Sequence, residues 1–380
     1  MIIAGEASGD LHGARLVRSM RQKAPDVFFF GIGGRALKEA GVRILVDAAS
    51  LSVVGITEVI SKLPGLLHGM RCAKQALKDL KPDLLILIDF PDFNLNVAAA
   101  AKKARVPVLY YISPQIWAWR TGRVKKIGAR VDHVAVILPF EEKFYKKHHV
   151  PVTFVGHPLL DAPLLPLDRA IPAGKDRSFK IGLLPGSRDR EVSSLLPAML
   201  EAAALLEARG RRVRFVVSHA RTVEKSFFKA IIDQQNTKVG LEIHAGPVDS
   251  IFKTCDLIVA ASGTVTLEAA IAGVPMVIIY KVSPLSYRLG RILIRVEHIG
   301  LVNLINDEPL VTELVQDDAS ARNIADAVDD LISDPVKLNR LRERLFAIRE
   351  KLGGPGASGR VADIALDLIR RNSEVSDAII

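Results

Sequence analysis

The sequence predicts an α/β fold of two doubly wound, Rossmann-like domains facing an interdomain cleft. Three observations carry this reading. Short apolar runs alternate with amphipathic stretches, the pattern of βαβ units and of a parallel sheet covered by helices on both faces. The alternation stops in mid-chain and starts again. Between the two series lies Asp161–Lys175, which holds three prolines and a glycine within fifteen residues and is the best linker in the chain. The boundary falls near residue 170, giving domains of residues 1–170 and 171–380, and 380 residues suit two domains. Ligands of such sheets bind outside the C-terminal ends of the strands, so the turns that follow strands are where chemistry is sought.

In the first series the strands are Ile2–Ala4, Phe28–Phe30, Leu84–Ile88, Val108–Tyr111, His133–Ile137 and Thr153–Val155. Helix-like stretches at Ala14–Lys23, Glu58–Leu80 and Asn94–Lys103 separate them. The second series has strands at Ile181–Leu184, Val213–Val217, Leu257–Ala260 and Met276–Tyr280, with a helix at Glu191–Ala208. From about Ala319 the chain is helical and charge-rich, and the path of these last helices is left open.

Composition narrows the function classes. Hydrophobic residues at 49% and charged residues at 25% exclude a disordered or collagen-like chain. Two cysteines, Cys72 and Cys255, exclude a disulfide framework and a cysteine-rich zinc site. There is no basic leader and no uninterrupted apolar stretch of about 18 residues, so the chain is expected in the cytoplasm. The net charge of +10 permits a nucleic acid, a phosphate compound or an anionic membrane as partner.

Six turns carry candidate chemistry. Gly5-Glu-Ala-Ser-Gly-Asp10 follows the first strand; its glycines allow close backbone approach, and Ser8 or Asp10 would cap the following helix. Gly31-Ile-Gly-Gly34 reads as a glycine-rich turn, because it lacks the full dinucleotide spacing. Asp89-Phe-Pro-Asp-Phe-Asn94 sits at a strand's C-terminal end, with one of Asp89 and Asp92 suited to general-base work and the other to a cap. Ser113-Pro-Gln-Ile-Trp-Ala-Trp-Arg120 holds both tryptophans and is followed by Arg123, Lys125, Lys126 and Arg130, which fits a nucleic-acid platform, a lipid surface or a packed aromatic face. Leu184-Pro-Gly-Ser-Arg188 places Gly186 and Ser187 amides at a helix start beside the Arg188 guanidinium, an anion trap suited to a pyrophosphate. Ser262-Gly-Thr-Val-Thr-Leu-Glu268 supplies Ser262, Gly263 and Thr264 as phosphate donors, with Glu268 one turn on to hold ribose hydroxyls.

On these motifs, with Leu51-Ser-Val-Val-Gly55, Val155-Gly-His-Pro158 and Leu301-Val-Asn-Leu304, the chain closely resembles the lipid-A-disaccharide synthases, bacterial glycosyltransferases of the GT-B class. The resemblance runs from Gly5 to about Asn306. It implies transfer of 2,3-diacylglucosamine from UDP-2,3-diacylglucosamine to 2,3-diacylglucosamine 1-phosphate (lipid X), with inversion and without a metal or other cofactor. The absence of an Asp-x-Asp motif agrees. The resemblance makes Asp89 the general base, Arg188 the pyrophosphate ligand, and Ser262, Thr264 and Glu268 the UDP loop. It sets Asn303 near the donor, and Glu6, Ser8 and Asp10 near the acceptor. In one departure, only Met1 precedes the first strand, where such chains usually carry a few residues more. The implied alternative is another GT-B enzyme acting on UDP-GlcNAc, a transferase or 2-epimerase.

The segment Leu51–Leu67 is unusually apolar for one beside a cleft. Val53, Val54, Ile56, Leu63, Leu66 and Leu67 are expected to shelter acyl chains and to dip into the cytoplasmic leaflet of the inner membrane, so that the protein is cytoplasmic and peripherally associated. A nucleic-acid partner is not expected, because the basic residues are spread rather than clustered. The oligomeric state is not readable.

Overall fold

The computed structural model describes residues 1–51, 56–119, 121–162, 178–235, 239–283, 287, 298–306 and 308–377, with side chains at 56–62, 119 and 375–377 outside that description. The chain forms two compact units. One takes in Met1–Ala162 together with Leu352–Ile380, and the other takes in Pro163–Lys351. The expected boundary near residue 170 falls outside the described residues.

Among the described residues, the first unit is built on seven parallel strands: β1 (Ile2–Ala4), β2 (Phe30–Gly33), β3 (Arg43–Asp47), β4 (Leu85–Ile88), β5 (Val108–Tyr111), β6 (His133–Val136) and β7 (Val152–Phe154). Their order is β3-β2-β1-β4-β5-β6-β7. Alternate residues of the central strands feed two cores. Ile3, Leu85, Leu87, Tyr110 and Val134 face one side, while Ile2, Ile86, Ile88, Leu109 and Tyr111 face the other. Burial on both faces explains why these strands read as continuous apolar runs. The last helix, Ala357–Asp377, contributes Val361, Ala362 and Ala365 to the second of these cores.

Among the described residues, the second unit has six parallel strands: β8 (Phe179–Leu184), β9 (Val213–Ser218), β10 (Leu241–His244), β11 (Leu257–Ala261), β12 (Met276–Tyr280) and β13 (Thr312–Val315), in the order β10-β9-β8-β11-β12-β13. In each unit the strand order reverses at one point, between β1 and β4 in the first and between β8 and β11 in the second. Ligands of doubly wound sheets bind at such reversals.

Two expectations need correcting. The strand expected at Phe28–Phe30 begins only at Phe30 and runs to Gly33, and Phe28 is exposed. The expected glycine-rich turn is therefore mostly strand. Gly31 lies flat against β1, where a Cβ would come within 1.7 Å of the Ile2 carbonyl oxygen. Only Gly34 acts at a turn, as the N-cap of the helix Arg35–Glu39.

Candidate active site

In the first unit, Ala4 pairs with Ile88, so the turns that leave β1 and β4 start side by side. The β1 turn opens the helix Ala7–Lys23, with Glu6 at the N-cap and no side chain capping it. Glu6 and Ser8 are exposed. Asp10 is buried, and its carboxylate accepts hydrogen bonds from the amides of Gly34 (2.6 Å), Ala36 (2.8 Å) and Leu37 (3.3 Å). Neither Ser8 nor Asp10 caps the helix after β1, as the spacing suggested; Asp10 caps the helix that starts at Arg35. Its amide partners lie 24 to 27 residues away, beyond the reach of local pattern reading.

The β4 turn is unusual. Asp89 and Phe90 both sit at φ 47°, in the left-handed region that non-glycine residues rarely enter. The Asn94 amide donates to the carbonyls of Ile88 (3.1 Å) and Asp89 (2.7 Å). The Tyr110 hydroxyl donates to the Asp89 carbonyl at 2.8 Å, and the Asp89 amide donates to the Ile112 carbonyl at 3.2 Å. The Phe90 ring lies over Gly5, where a Cβ would come within 2.3 Å of ring carbons. The Asp89 side chain is left half-buried. Burial, reinforced by the nearby Glu6 carboxylate, pushes its carboxyl up to about 6 against a hydrogen bond from the Phe90 amide. That is where a general base working near neutral pH belongs. Asp92, the other candidate, lies in the first turn of the helix Pro91–Lys103 and pairs with Arg123 at 2.6 Å.

Phe90 and Phe93 stack with centroids 5.0 Å apart. Together with Leu66, Leu67, Met70 and Lys74 they line a cavity of about 480 Å3, with Asp92 also in its wall. Leu66 and Leu67 belong to the helix Ile56–Leu80. Leu63 and Leu67 are exposed, at 49% and 48%, and Leu66 is half-buried. Val53 and Val54 lie outside the described residues, as does the side chain of Ile56. Among the described residues no helix is long and apolar enough to cross a membrane.

Trp117 is tied into the protein rather than offered as a platform. Its indole N–H donates to the buried Glu141 carboxylate at 3.1 Å, and its ring meets Phe140 edge-on at 4.7 Å. The Trp119 side chain and Arg120 lie outside the described residues.

In the second unit, Leu184 pairs with Ala260, which brings the Pro185–Arg188 turn beside Ser262. Gly186 stands at φ 108°, a conformation glycine adopts readily, and Arg188 is the N-cap of the helix Asp189–Ala208. The Arg188 side chain is 72% exposed. The Glu191 carboxylate accepts from the Ser187 amide at 2.9 Å and from the Arg188 guanidinium at 3.1 Å. A carboxylate thus sits on two of the three donors that the sequence assigned to an anion. On the neighbouring turn, Gly263 is the N-cap of the helix Thr264–Ile271, and no side chain caps it. Thr264 is exposed, while the Ser262 amide is committed to the Ile279 carbonyl at 3.0 Å. Glu268 is half-buried one turn further on, and burial, with the Asp249 charge adding to it, raises its carboxyl to about 7.

Asn303 is 1% exposed. Its amide donates to the Val311 carbonyl and to Glu313, and its oxygen accepts from the Leu310 and Val311 amides. All four of its hydrogen-bonding positions are thus filled from within the chain, which makes it a clamp on the approach to β13 and leaves no hand for a ligand.

The comparisons with known proteins agree with this architecture. A family model described as lipid-A-disaccharide synthetase matches residues 1–354. The lipid-A-disaccharide synthase of Geobacter sulfurreducens is 47% identical over 373 residues, covering 97% of each chain. That of Coxiella burnetii (strain Dugway) is 41% identical over 374 residues, covering 97% of this chain and 98% of the other. Among solved structures, UDP-GlcNAc 2-epimerase from Neisseria meningitidis bound to UDP-GlcNAc superposes with a TM-score of 0.63 at 13% identity, covering 95% of this chain and 98% of that one. Acinetobacter baumannii MurG gives 0.62 at 15% identity, covering 97% and 98%. At these identities the structural likeness speaks to fold alone, and the fold class is that of GT-B glycosyltransferases.

Proposed function

The chain belongs to the lipid-A-disaccharide synthetase family, and from that premise we propose that it transfers 2,3-diacylglucosamine from UDP-2,3-diacylglucosamine to the 6-hydroxyl of lipid X. Asp89 takes the hydroxyl proton. The freed oxygen attacks the anomeric carbon from the face opposite the nucleotide, the bond from that carbon to the pyrophosphate oxygen breaks, and the electron pair leaves with UDP. The anomeric configuration inverts. The carrying observation is the Asp89 carboxyl, half-buried at a strand-order reversal and raised to about 6.

The second unit holds the leaving group in this reading. Arg188 and the amides at the starts of the helices Asp189–Ala208 and Thr264–Ile271 neutralise the developing pyrophosphate charge. Glu268 takes the ribose hydroxyls. No metal is assigned a step, because the guanidinium and the helix dipoles fill the cation's role. The cavity lined by Phe90 and Phe93 takes an acyl chain of the acceptor, and the exposed Leu63 and Leu67 rest in the inner leaflet of a membrane.

Mass spectrometry of products from UDP-2,3-diacylglucosamine and lipid X tests the reaction. A disaccharide phosphate that forms equally in EDTA, and not with Asp89→Ala, is the expected result. Turnover of unacylated UDP-GlcNAc in its place overturns the substrate assignment. For the membrane contact, Leu63→Glu with Leu67→Glu should release the protein from anionic vesicles at unchanged Tm; vesicle binding equal to the parent's refutes it.

A further inference from the structure

We propose that Asn94 is a positioning residue for Asp89, acting with the Tyr110 hydroxyl to hold open a left-handed turn that the backbone would otherwise leave. The proposal rests on the reading of Asp89 as the base, and deepens it.

Two consecutive non-glycine residues, Asp89 and Phe90, occupy the left-handed region. Such residues persist only where their surroundings over-determine them, and they gather at functional sites. A turn that merely joined β4 to the next helix would need neither. Here the restraints converge on one peptide carbonyl. The Asp89 carbonyl receives the Asn94 amide at 2.7 Å and the Tyr110 hydroxyl at 2.8 Å, and Asn94 also holds the Ile88 carbonyl at 3.1 Å. Asn94 is fully buried, and no partner reaches its Oδ1 among the described residues. Its side chain is therefore oriented by the two carbonyls it serves. Pinning the main chain on both sides of the Asp89 Cα fixes the direction in which the carboxylate leaves the backbone. The Phe90 ring, set down over Gly5, closes the opposite side.

A base displaced by about 1 Å loses on the order of a hundredfold in rate. Asn94→Ala should therefore lower kcat about a hundredfold, and Tyr110→Phe, which removes one of the two donors to the Asp89 carbonyl, roughly tenfold. UDP affinity, measured by calorimetry, should stay within about twofold of the parent in both, because the nucleotide donors lie in the other unit. The decisive readout is the acid limb of the pH–rate profile. Once the turn relaxes and the carboxylate meets water, that limb should move down from about 6 toward the ordinary carboxylate range. A purely structural asparagine lowers Tm and the folded fraction, but leaves kcat per folded molecule and the acid limb where they were; that result overturns the proposal. If Asn94→Ala does not fold, Tyr110→Phe decides, and a parental kcat and acid limb in that variant overturn it equally. Asp89→Ala run alongside separates the two levels. An active Asp89→Ala removes the base reading and the proposal with it, whereas an inactive one beside parental Asn94 and Tyr110 variants removes the proposal alone.

Discussion

At the scale of single residues, the site sets charge against burial. The base proposed at Asp89 must be ionised to accept a proton, so kcat/KM for the acceptor should fall as pH drops below about 6, the value to which burial lifts its carboxyl. Stability runs the other way. A carboxyl whose folded value lies above its ordinary 3.8 stabilises the fold most when protonated, and that contribution is lost as pH rises through about 6. Asp89→Asn should therefore inactivate the enzyme yet raise Tm, by more at pH 8 than at pH 5, as calorimetry would register. Gly5→Ala drives a methyl into the Phe90 ring and should cost roughly 1–3 kcal/mol along with activity, read from denaturant unfolding and from turnover. Glu191 stands on the Ser187 amide and the Arg188 guanidinium, so the pyrophosphate of the proposed donor would have to displace it. An exposed ion pair of this kind is worth about 0.2–1 kcal/mol, and Glu191→Gln should tighten UDP by up to about fivefold. Weaker UDP binding in that variant would assign Glu191 to holding the loop instead.

At the scale of elements, one connection reaches across most of the chain. Asp161 accepts the amides of Gly356 (2.7 Å), Ala357 (2.9 Å) and Ser358 (2.9 Å) and the Ser358 hydroxyl (2.7 Å), capping the helix Ala357–Asp377 from nearly two hundred residues away. Burial alone would raise this carboxyl, but these hydrogen bonds outweigh it and hold it below the ordinary range. Its stabilisation is thus present at neutral pH and fades as pH falls through that lowered value. Asp161→Ala should cost about 2 kcal/mol at pH 7 by urea unfolding, and less in acid. The elements the sequence made legible are those with continuous apolar runs buried on both faces, such as Leu85–Ile88 and Leu257–Ala261. The edge strands Arg43–Asp47, Leu241–His244 and Thr312–Val315 escaped, because their side chains are largely exposed or half-buried and, apart from Ile44–Val46 between two charged residues, they carry no run of three apolar residues. Phe28–Phe30 misled for the converse reason: an apolar run with an exposed Phe28 imitates a core strand. The turns bearing Asp89 and Arg188 were readable from their place after strong strands. The Asn94 and Tyr110 bonds that shape the Asp89 turn were not, since Tyr110 is 21 residues away and the left-handed backbone leaves no mark in composition. The capping work of Asp10 and the clamp formed by Asn303 are likewise tertiary facts.

At the scale of the whole molecule, each unit owns its core. Among the described residues, one buried cluster of the second unit runs from Phe179 to Leu338, and the buried Leu345 and Ile348 also lie before its end at Lys351, so a chain of residues 163–351 should fold by itself and melt cooperatively. The first unit is divided. Residues 1–162 alone leave bare the face that Val361, Ala362 and Ala365 cover. That fragment should be aggregation-prone, and adding residues 352–380 as a separate peptide should restore a cooperative melt by circular dichroism; a stable, soluble 1–162 without the peptide would contradict this.

A ribosome releases this polypeptide from its amino end. The first half to emerge is therefore finished only after the other half has been made, since its closing helix follows residue 351. The nascent amino-terminal sheet waits with part of one apolar face uncovered while the other half is made and folds. A chaperone that shields apolar surface during that interval has its natural client in this half of the enzyme, and early termination after Lys351 would leave a product that is folded at one end and sticky at the other.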